Sequence, residues 1–266
     1  MNNNRLTGRD FVLGVQHLFA MFGATVLVPA LTGLSVSATL LFAGLGTLLF
    51  HLITGRKVPA FLGSSFAFLG GYFAIKALCD AQGVSNFSAY AGVGVACAGM
   101  VYVILAILFK CFGANRVMRY FPPIVTGPII ISIGLTLSET AITNCTDNWI
   151  IALAAIITVI VCNIWGKGMV KIVPILLGVI VSYLVAVCMG KVDFTPVAEA
   201  KWIGFPVAFN DTVFSLFKDG NASIIITSII TIVPIAIATI IEHIGDISAI
   251  SSTVGKNFIA EPGLHR

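Results

Sequence analysis

Residues 231–250 read TIVPIAIATIIEHIGDISAI, an apolar run interrupted by two acids and a histidine. Its length suits a helix crossing the hydrocarbon core of a membrane, which takes roughly 20 residues. A carboxylate at that depth costs at least about 2.5–3.5 kcal/mol, so acids in such a helix mark a candidate functional site. Glu242 and Asp246 are four residues apart and therefore project from one face of the helix.

The two acids are predicted to exchange a proton. Removal from water and mutual repulsion both favour the neutral carboxyl group, so at least one acid is expected to carry a proton during part of a working cycle. Such a pair can couple proton movement to a cargo; the alternative is a structural pair that neighbouring helices satisfy. His243 lies about 100° further around the helix. It suits a bond to a neighbouring helix and a place in the acidic site equally well. His17, also at membrane depth, suits either a proton relay or a packing role.

The composition indicates a membrane protein. Of 266 residues, 58% are hydrophobic and only 10% are charged, whereas a soluble domain carries roughly 25% charged residues. The basic residues are dispersed through loops, which argues against nucleic-acid binding. The six cysteines form no CxxC pair, so buried thiols are expected and no metal site.

Eight apolar runs predict an all-α polytopic membrane protein. They lie at 11–32, 37–54, 60–79, 87–109, 122–139, 149–165, 170–190 and 222–254. Residues 58–75, VPAFLGSSFAFLGGYFAI, contain a proline, three glycines and two serines. This stretch predicts an extended or half-unwound segment facing a protein-lined cavity, with a glycine-kinked packing helix as the alternative. The glycines of YAGVGVACAGM, residues 90–100, predict close helix packing.

The distribution of basic residues predicts the orientation, because cytoplasmic loops are rich in lysine and arginine. Eight spans place eleven of the 15 basic residues on one side: Arg5, Arg9, Arg56, Lys57, Lys110, Arg116, Arg119, Lys167, Lys171, Lys256 and Arg266. Four fall on the other: Lys76, Lys191, Lys201 and Lys218. Both termini are therefore predicted to be cytoplasmic, in a multi-pass protein of the cytoplasmic membrane, with residues 191–219 forming an external loop.

Four stretches resemble a known family: QHLFAMFGATVLVPALTG (16–33), VPAFLGSSFAF (58–68), IIEHIGDISAI (240–250) and EPGLHR (261–266). Together they resemble the nucleobase–ascorbate transporters, or nucleobase:cation symporter-2 family, in its bacterial uracil permease branch. The resemblance implies a fourteen-span fold of two inverted seven-span repeats, with a short extended strand in the third span. It assigns residues 1–120 (spans 1–4) and 222–266 (span 8) to a core domain, and residues 121–221 to a gate domain with the external loop.

The resemblance also implies roles for individual residues. Phe66 would offer its backbone N–H and its ring to a nucleobase, and Glu242 would accept hydrogen bonds from the base. Glu242, Asp246 and His17 would form the proton-linked network. The implied function is proton-coupled uracil uptake by alternating access, without a cofactor other than the proton and without enzymatic chemistry.

Several alternatives remain. Asp246 stands where uracil permeases often carry histidine, which favours a xanthine or urate symporter of the same family. HIGDI superficially resembles the GxGD motif of intramembrane aspartyl proteases, although His243 stands in place of glycine, and a metal carrier would need further ligands. The resemblance leads us to expect that this sequence is a fragment, since a second acid and half-strand would lie further along. The oligomeric state is left undecided, a homodimer included.

Overall fold

The helices follow the apolar runs of the sequence. The computed structural model describes residues 8–117, 119, 123–168, 170–171, 173–199 and 204–266. Its α-helices are α1 Gly8–Thr32, α2 Val36–Ile53, α3 Leu69–Ala81, α4 Phe87–Phe112, α5 Ala114–Val117, α6 Pro123–Asp147, α7 Trp149–Trp165, α8 Pro174–Cys188, α9 Thr195–Glu199, α10 Leu216–Asp219, α11 Ala222–Ile232 and α12 Ile235–Val254. Among these described residues all regular structure is helical, which confirms the all-α prediction.

Each predicted span overlaps at least one helix, with shifts at some boundaries. The fifth span was predicted to end at residue 139, but α6 continues to Asp147. Threonine hydroxyls support this extension, since Thr143 Oγ1 donates to the Glu139 carbonyl at 2.9 Å. In the described part of the chain, Val36–Ile53, Phe87–Phe112 and Ala222–Val254 are long and apolar enough to cross a membrane. The protein is therefore an integral membrane protein, and the two-repeat architecture stays a prediction.

The third predicted span is only partly helical. Residues 57–65 have no regular structure, a 3-10 turn occupies Phe66–Phe68, and α3 follows. Ser65 has extended backbone angles, φ −91° and ψ 128°. The segment is thus half-unwound, as its proline, glycines and serines predict. The short strand is not confirmed, because no residue within the described ranges pairs in a β-ladder.

Contacts divide the chain into two units. The first unit comprises Met1–Leu27 and Thr136–Gly204, and the second comprises Val28–Leu135 and Phe205–Arg266. The resemblance placed residues 1–27 in the core domain, whereas here they group with residues of the predicted gate. The functional assignment of core and gate stays a prediction.

The first unit contains a packed pair of helices, α7 and α8. Asn148 caps α7, accepting hydrogen bonds from the backbone N–H groups of Ile150 and Ile151 at 3.1 and 3.3 Å. Gly178 on α8 allows the close approach, because a Cβ there would lie 2.7 Å from Cγ2 of Val159. A small residue at the contact lets two apolar helices pack without a hydrophobic driving force from water.

The core of the second unit lies where α11 packs against α3 and α4. Gly94 makes the closest approach: a Cβ there would lie 2.8 Å from the Ser228 carbonyl oxygen and 2.7 Å from Cδ1 of Ile232. This confirms the packing role predicted from the glycines of residues 90–100 for Gly94, whereas a Cβ at Gly99 would meet no atom within 4 Å. At the start of α11, the Asn221 N–H donates to the hydroxyl oxygen of buried Tyr90 at 2.9 Å.

Candidate functional site

The unwound segment of the third span is anchored to α2 through one side chain. Thr47 Oγ1 accepts from the Leu62 N–H at 3.1 Å and donates to the Leu62 carbonyl at 3.3 Å. Thr47 therefore supplies partners to a backbone stretch that has left the helical pattern. Non-helical backbone at membrane depth is tolerated only where protein or a water-filled cavity surrounds it.

Ser65 ends the unwound segment and begins the 3-10 turn. Its Oγ accepts from the Ala67 N–H at 3.3 Å, in the manner of a helix cap. The next residue, Phe66, is half-buried and is the first of the turn. The turn contacts α12, so the break in the third span faces the acidic helix.

The side chains of Ser65 and Glu242 join these two elements. The two side chains interact, and this contact links the unwound segment to α12. Glu242 is half-buried and Asp246, one turn further along, is exposed. The two acids are therefore not sealed among packed side chains, and the first of them lies beside the residue preceding Phe66.

The face of α12 opposite to Glu242 packs against other helices of the second unit. Ile240 and Ile244 are buried in a cluster with Phe109 of α4 and Val117 of α5. This packing positions the face that carries Glu242 and Asp246 away from the apolar contact. Because Ile240 and Ile244 lie on the side of α12 opposite to Glu242, their burial accounts for the rotation of the helix.

His243 faces α4. Its ring meets that of Tyr102 edge-on, with centroids 6.4 Å apart and an interplanar angle of 83°. The Tyr102 hydroxyl donates to Thr239 Oγ1 at 2.8 Å, and Thr239 donates in turn to the Ala236 carbonyl at 3.0 Å. Thr239 is buried and bonded to α4. Of the two roles predicted for His243, the contact with a neighbouring helix is the one observed.

The acidic helix begins at a break. α11 ends at Ile232 and α12 starts at Ile235, with Pro234 between them. Across this break the bonds shorten to the 3-10 pattern: Ala236 N–H donates to the Val233 carbonyl at 3.0 Å, and Ile237 N–H to the Pro234 carbonyl at 3.2 Å. A proline in a helix removes one donor and crowds the preceding turn. The eighth span is therefore also interrupted, two turns before Glu242.

This arrangement can bind a flat molecule with N–H donors and carbonyl acceptors. Glu242 supplies carboxylate oxygens. Phe66, the first residue of the 3-10 turn, supplies a backbone N–H, since the Ala67 N–H is already engaged by Ser65 Oγ. Phe66 supplies an aromatic ring for an apolar face. Among the described residues no three histidine, cysteine or acidic side chains come together as a metal site would require.

The structure places three of the predicted site residues in the second unit and the fourth in the first unit. Phe66, Glu242 and Asp246 all lie in the second unit, with Ser65 linking the first two. His17 lies on α1 within the first unit and is exposed; its part in a proton network stays a prediction. Ser65 and Tyr102 were not assigned roles from the sequence. A serine in a predicted break and a tyrosine in the middle of a span both indicate a polar contact. The sequence does not show which residue either of them contacts.

Comparison with known proteins agrees with these features. A model of the Permease family matches residues 8–266. The uracil permease of Bacillus caldolyticus is 41% identical, over 97% of this chain and 59% of its own length. The uracil permease of Bacillus subtilis strain 168 is 38% identical, over 95% and 58%. That of Escherichia coli strain K12 is 34% identical, over 96% and 57%.

The chain spans less than three fifths of the length of these relatives. The relatives are named permeases, so the family is one of transporters rather than enzymes, and the resemblance seen in the sequence is confirmed. Because the family model covers nearly every residue, the chain belongs to the Permease family.

Proposed function

We propose that the protein takes up uracil together with a proton across the cytoplasmic membrane, as a secondary symporter that works by alternating access. One observation carries this proposal: the 3-10 turn of the broken third span contacts the acidic helix, where Ser65 lies beside Glu242. The uracil permeases among its relatives support the choice of base.

The hydrogen-bonding groups of uracil match those of Glu242 and Phe66. Uracil is flat and neutral, with two N–H donors and two carbonyl acceptors. Glu242 accepts from the base N–H groups, the Phe66 backbone N–H donates to a carbonyl, and the Phe66 ring covers an edge. A base lacking the matching donor is rejected by several kcal/mol, because buried polar groups stay unpaired.

Proton coupling is assigned to Glu242 and Asp246, with His17 in the same network. The two acids lie one turn apart, one half-buried and one exposed. They exchange protons as the site alternates between a state open to water and a closed state. In the proposed architecture this chain supplies a seven-span repeat and the eighth span, with residues 1–120 and 222–266 in the moving core and residues 121–221 in the gate. Both termini lie in the cytoplasm.

Asp246 favours a second substrate class. By the family resemblance, uracil permeases often carry histidine at this position. Aspartate offers an additional acceptor that suits the larger N–H pattern of xanthine or urate. Competition between xanthine and uracil for uptake therefore decides which base is the substrate.

The test is uptake of radiolabelled uracil by the full protein in proteoliposomes that are acidic outside. We expect uptake that collapses with a protonophore and that a large excess of unlabelled xanthine leaves nearly unchanged. Uptake insensitive to the proton gradient would refute the coupling. Absence of uracil uptake combined with xanthine uptake would replace uracil by a purine.

A further inference from the structure

A crevice separate from the acidic site opens where α2 and α12 end. Its volume is about 660 Å³, and it is lined by Leu48, His51, Arg56, Lys57, Val58, Pro59, Val254, Lys256 and Phe258. Neither Glu242 nor Phe66 belongs to this lining. The crevice lies within the second unit, on the side of the membrane that the basic residues predict to be cytoplasmic.

The end of α2 fixes the backbone that carries Arg56, one of the basic residues of the crevice. Gly55 N–H donates to the Leu52 carbonyl at 3.2 Å, and Arg56 N–H to the His51 carbonyl at 2.8 Å. These two bonds form a Schellman cap, in which a left-handed glycine ends the helix. Gly55 and Arg56 are both left-handed, with φ of 62° and 59°. A non-glycine residue is uncommon in this region, so the chain holds Arg56 in a specific orientation.

The charge of the crevice is unbalanced. Lys57 pairs with Glu261, the one ion pair within the described ranges. The hydrogen bond from Lys57 holds the pKa of Glu261 below its ordinary value of 4.5, so the pair persists at neutral pH. Arg56 and Lys256 face the crevice without a carboxylate partner among the described residues. Two permanent positive charges are therefore left for an anion.

An apolar surface leads away from this charge along α2. Leu48 and Leu52 are 63% and 67% exposed and lie four residues apart, so they form one stripe. Leu45 and Leu49 extend it, at 51% and 57% exposure. A helix that crosses the membrane presents such leucines to acyl chains. A molecule with a phosphate at one end and acyl chains at the other matches both the crevice and the stripe.

We propose that this crevice binds the phosphate of an anionic phospholipid from the cytoplasmic leaflet. Arg56 and Lys256 contact the phosphate, and the acyl chains lie along the leucine stripe of α2. Basic pockets beside membrane helices on the cytoplasmic side are suited to such headgroups, and arginine pairs with phosphate through two parallel N–H bonds. A soluble phosphate would use the charges but not the leucines.

Lipid binding by the full protein in detergent tests this assignment. Short-chain phosphatidylglycerol is titrated and counted as adducts by native mass spectrometry, beside phosphatidylcholine of equal chain length and inorganic phosphate. The Arg56→Asn/Lys256→Gln variant removes both charges, and asparagine tolerates the left-handed backbone at position 56. The matched control, Lys110→Gln/Arg116→Gln, removes two charges of the same predicted side that do not line the crevice.

We expect phosphatidylglycerol to bind the crevice variant at least tenfold more weakly than the wild type, and the control variant within twofold of the wild type. Equal binding by the crevice variant would overturn the proposal. Competition by inorganic phosphate at the same concentration as phosphatidylglycerol would replace the lipid by a soluble anion, which also overturns it. Thermal unfolding of each variant in detergent reports folding without using uracil, so a failure of the transport proposal leaves this result readable.

Discussion

Two side chains, Ser65 and Glu242, form the centre of the site. The serine hydroxyl contacts both the Ala67 N–H, which starts the 3-10 turn, and the carboxyl group of the acidic helix. It thereby sets the distance between the broken span and the acid. A hydrogen bond to a charged group contributes about 1.5–3 kcal/mol, so a single atom here matters to binding.

Ser65→Ala is expected to weaken uracil binding roughly tenfold, because the carboxyl group loses its partner and the turn loses its cap. Isothermal titration of the full protein measures this change. Ser182→Ala is the matched control, since within the described part of the chain Ser182 bonds only the Val179 carbonyl of its own helix, at 3.0 Å. An unchanged dissociation constant in Ser65→Ala would remove the serine from the site.

Tyr102→Phe is expected to lower the free energy of unfolding by about 1 kcal/mol, because Thr239 loses a donor 2.8 Å away. Thermal unfolding in detergent measures it, with Tyr183→Phe on α8, an exposed tyrosine, as the control. In a double-mutant cycle with Thr239→Val, the two effects should not add. Additive effects would show that the bond contributes nothing.

Sequence reasoning reached some of these residues and not others. Glu242 was found because an acid in an apolar helix is costly, and Phe66 came only from the family resemblance. Ser65 and Tyr102 could not be assigned, because their partners lie far along the chain: Ser65 meets Glu242, and Tyr102 meets Thr239. Hydropathy patterns report the environment of a residue and carry no information on which distant side chain it meets.

Among the helices, two interrupted spans define the architecture. The third span unwinds over 57–65 and the eighth breaks at Pro234. Proline, glycine and serine at membrane depth predicted the first interruption. The second lies at Pro234, because proline removes a helical donor and crowds the preceding turn. The sequence did not predict that α6 would reach Asp147, because its final turns are polar and helical propensity alone does not extend a span.

The contact between α4 and α11 is tested by a pair of glycines on α4. Gly94→Ala is expected to destabilise the protein by about 1–3 kcal/mol, because the added methyl group would meet the Ser228 carbonyl at 2.8 Å. A Cβ at Gly99, on the same helix, would meet no atom within 4 Å, so Gly99→Ala should be neutral or slightly stabilising. Thermal unfolding of both variants decides; equal effects would contradict the packing role.

For the molecule as a whole, the basic loops are expected to lie in the cytoplasm. The packing within each unit is independent of that orientation, which depends on lysine and arginine alone. Reporter fusions test it. Alkaline phosphatase joined within residues 204–208 should be active, and the same enzyme joined after Gly168 should be inactive. The reverse pattern would invert the topology and move the lipid crevice to the outer leaflet.

Transport as proposed requires that Glu242 bind the base. Calorimetric titration of the full protein with uracil tests this requirement, comparing Glu242→Ala with Glu139→Ala, which removes an exposed acid on α6. Loss of the carboxylate leaves buried base N–H groups unpaired, so Glu242→Ala should weaken binding roughly 100-fold or abolish it. Glu139→Ala should bind as the wild type does. Wild-type affinity in Glu242→Ala would contradict the proposed site.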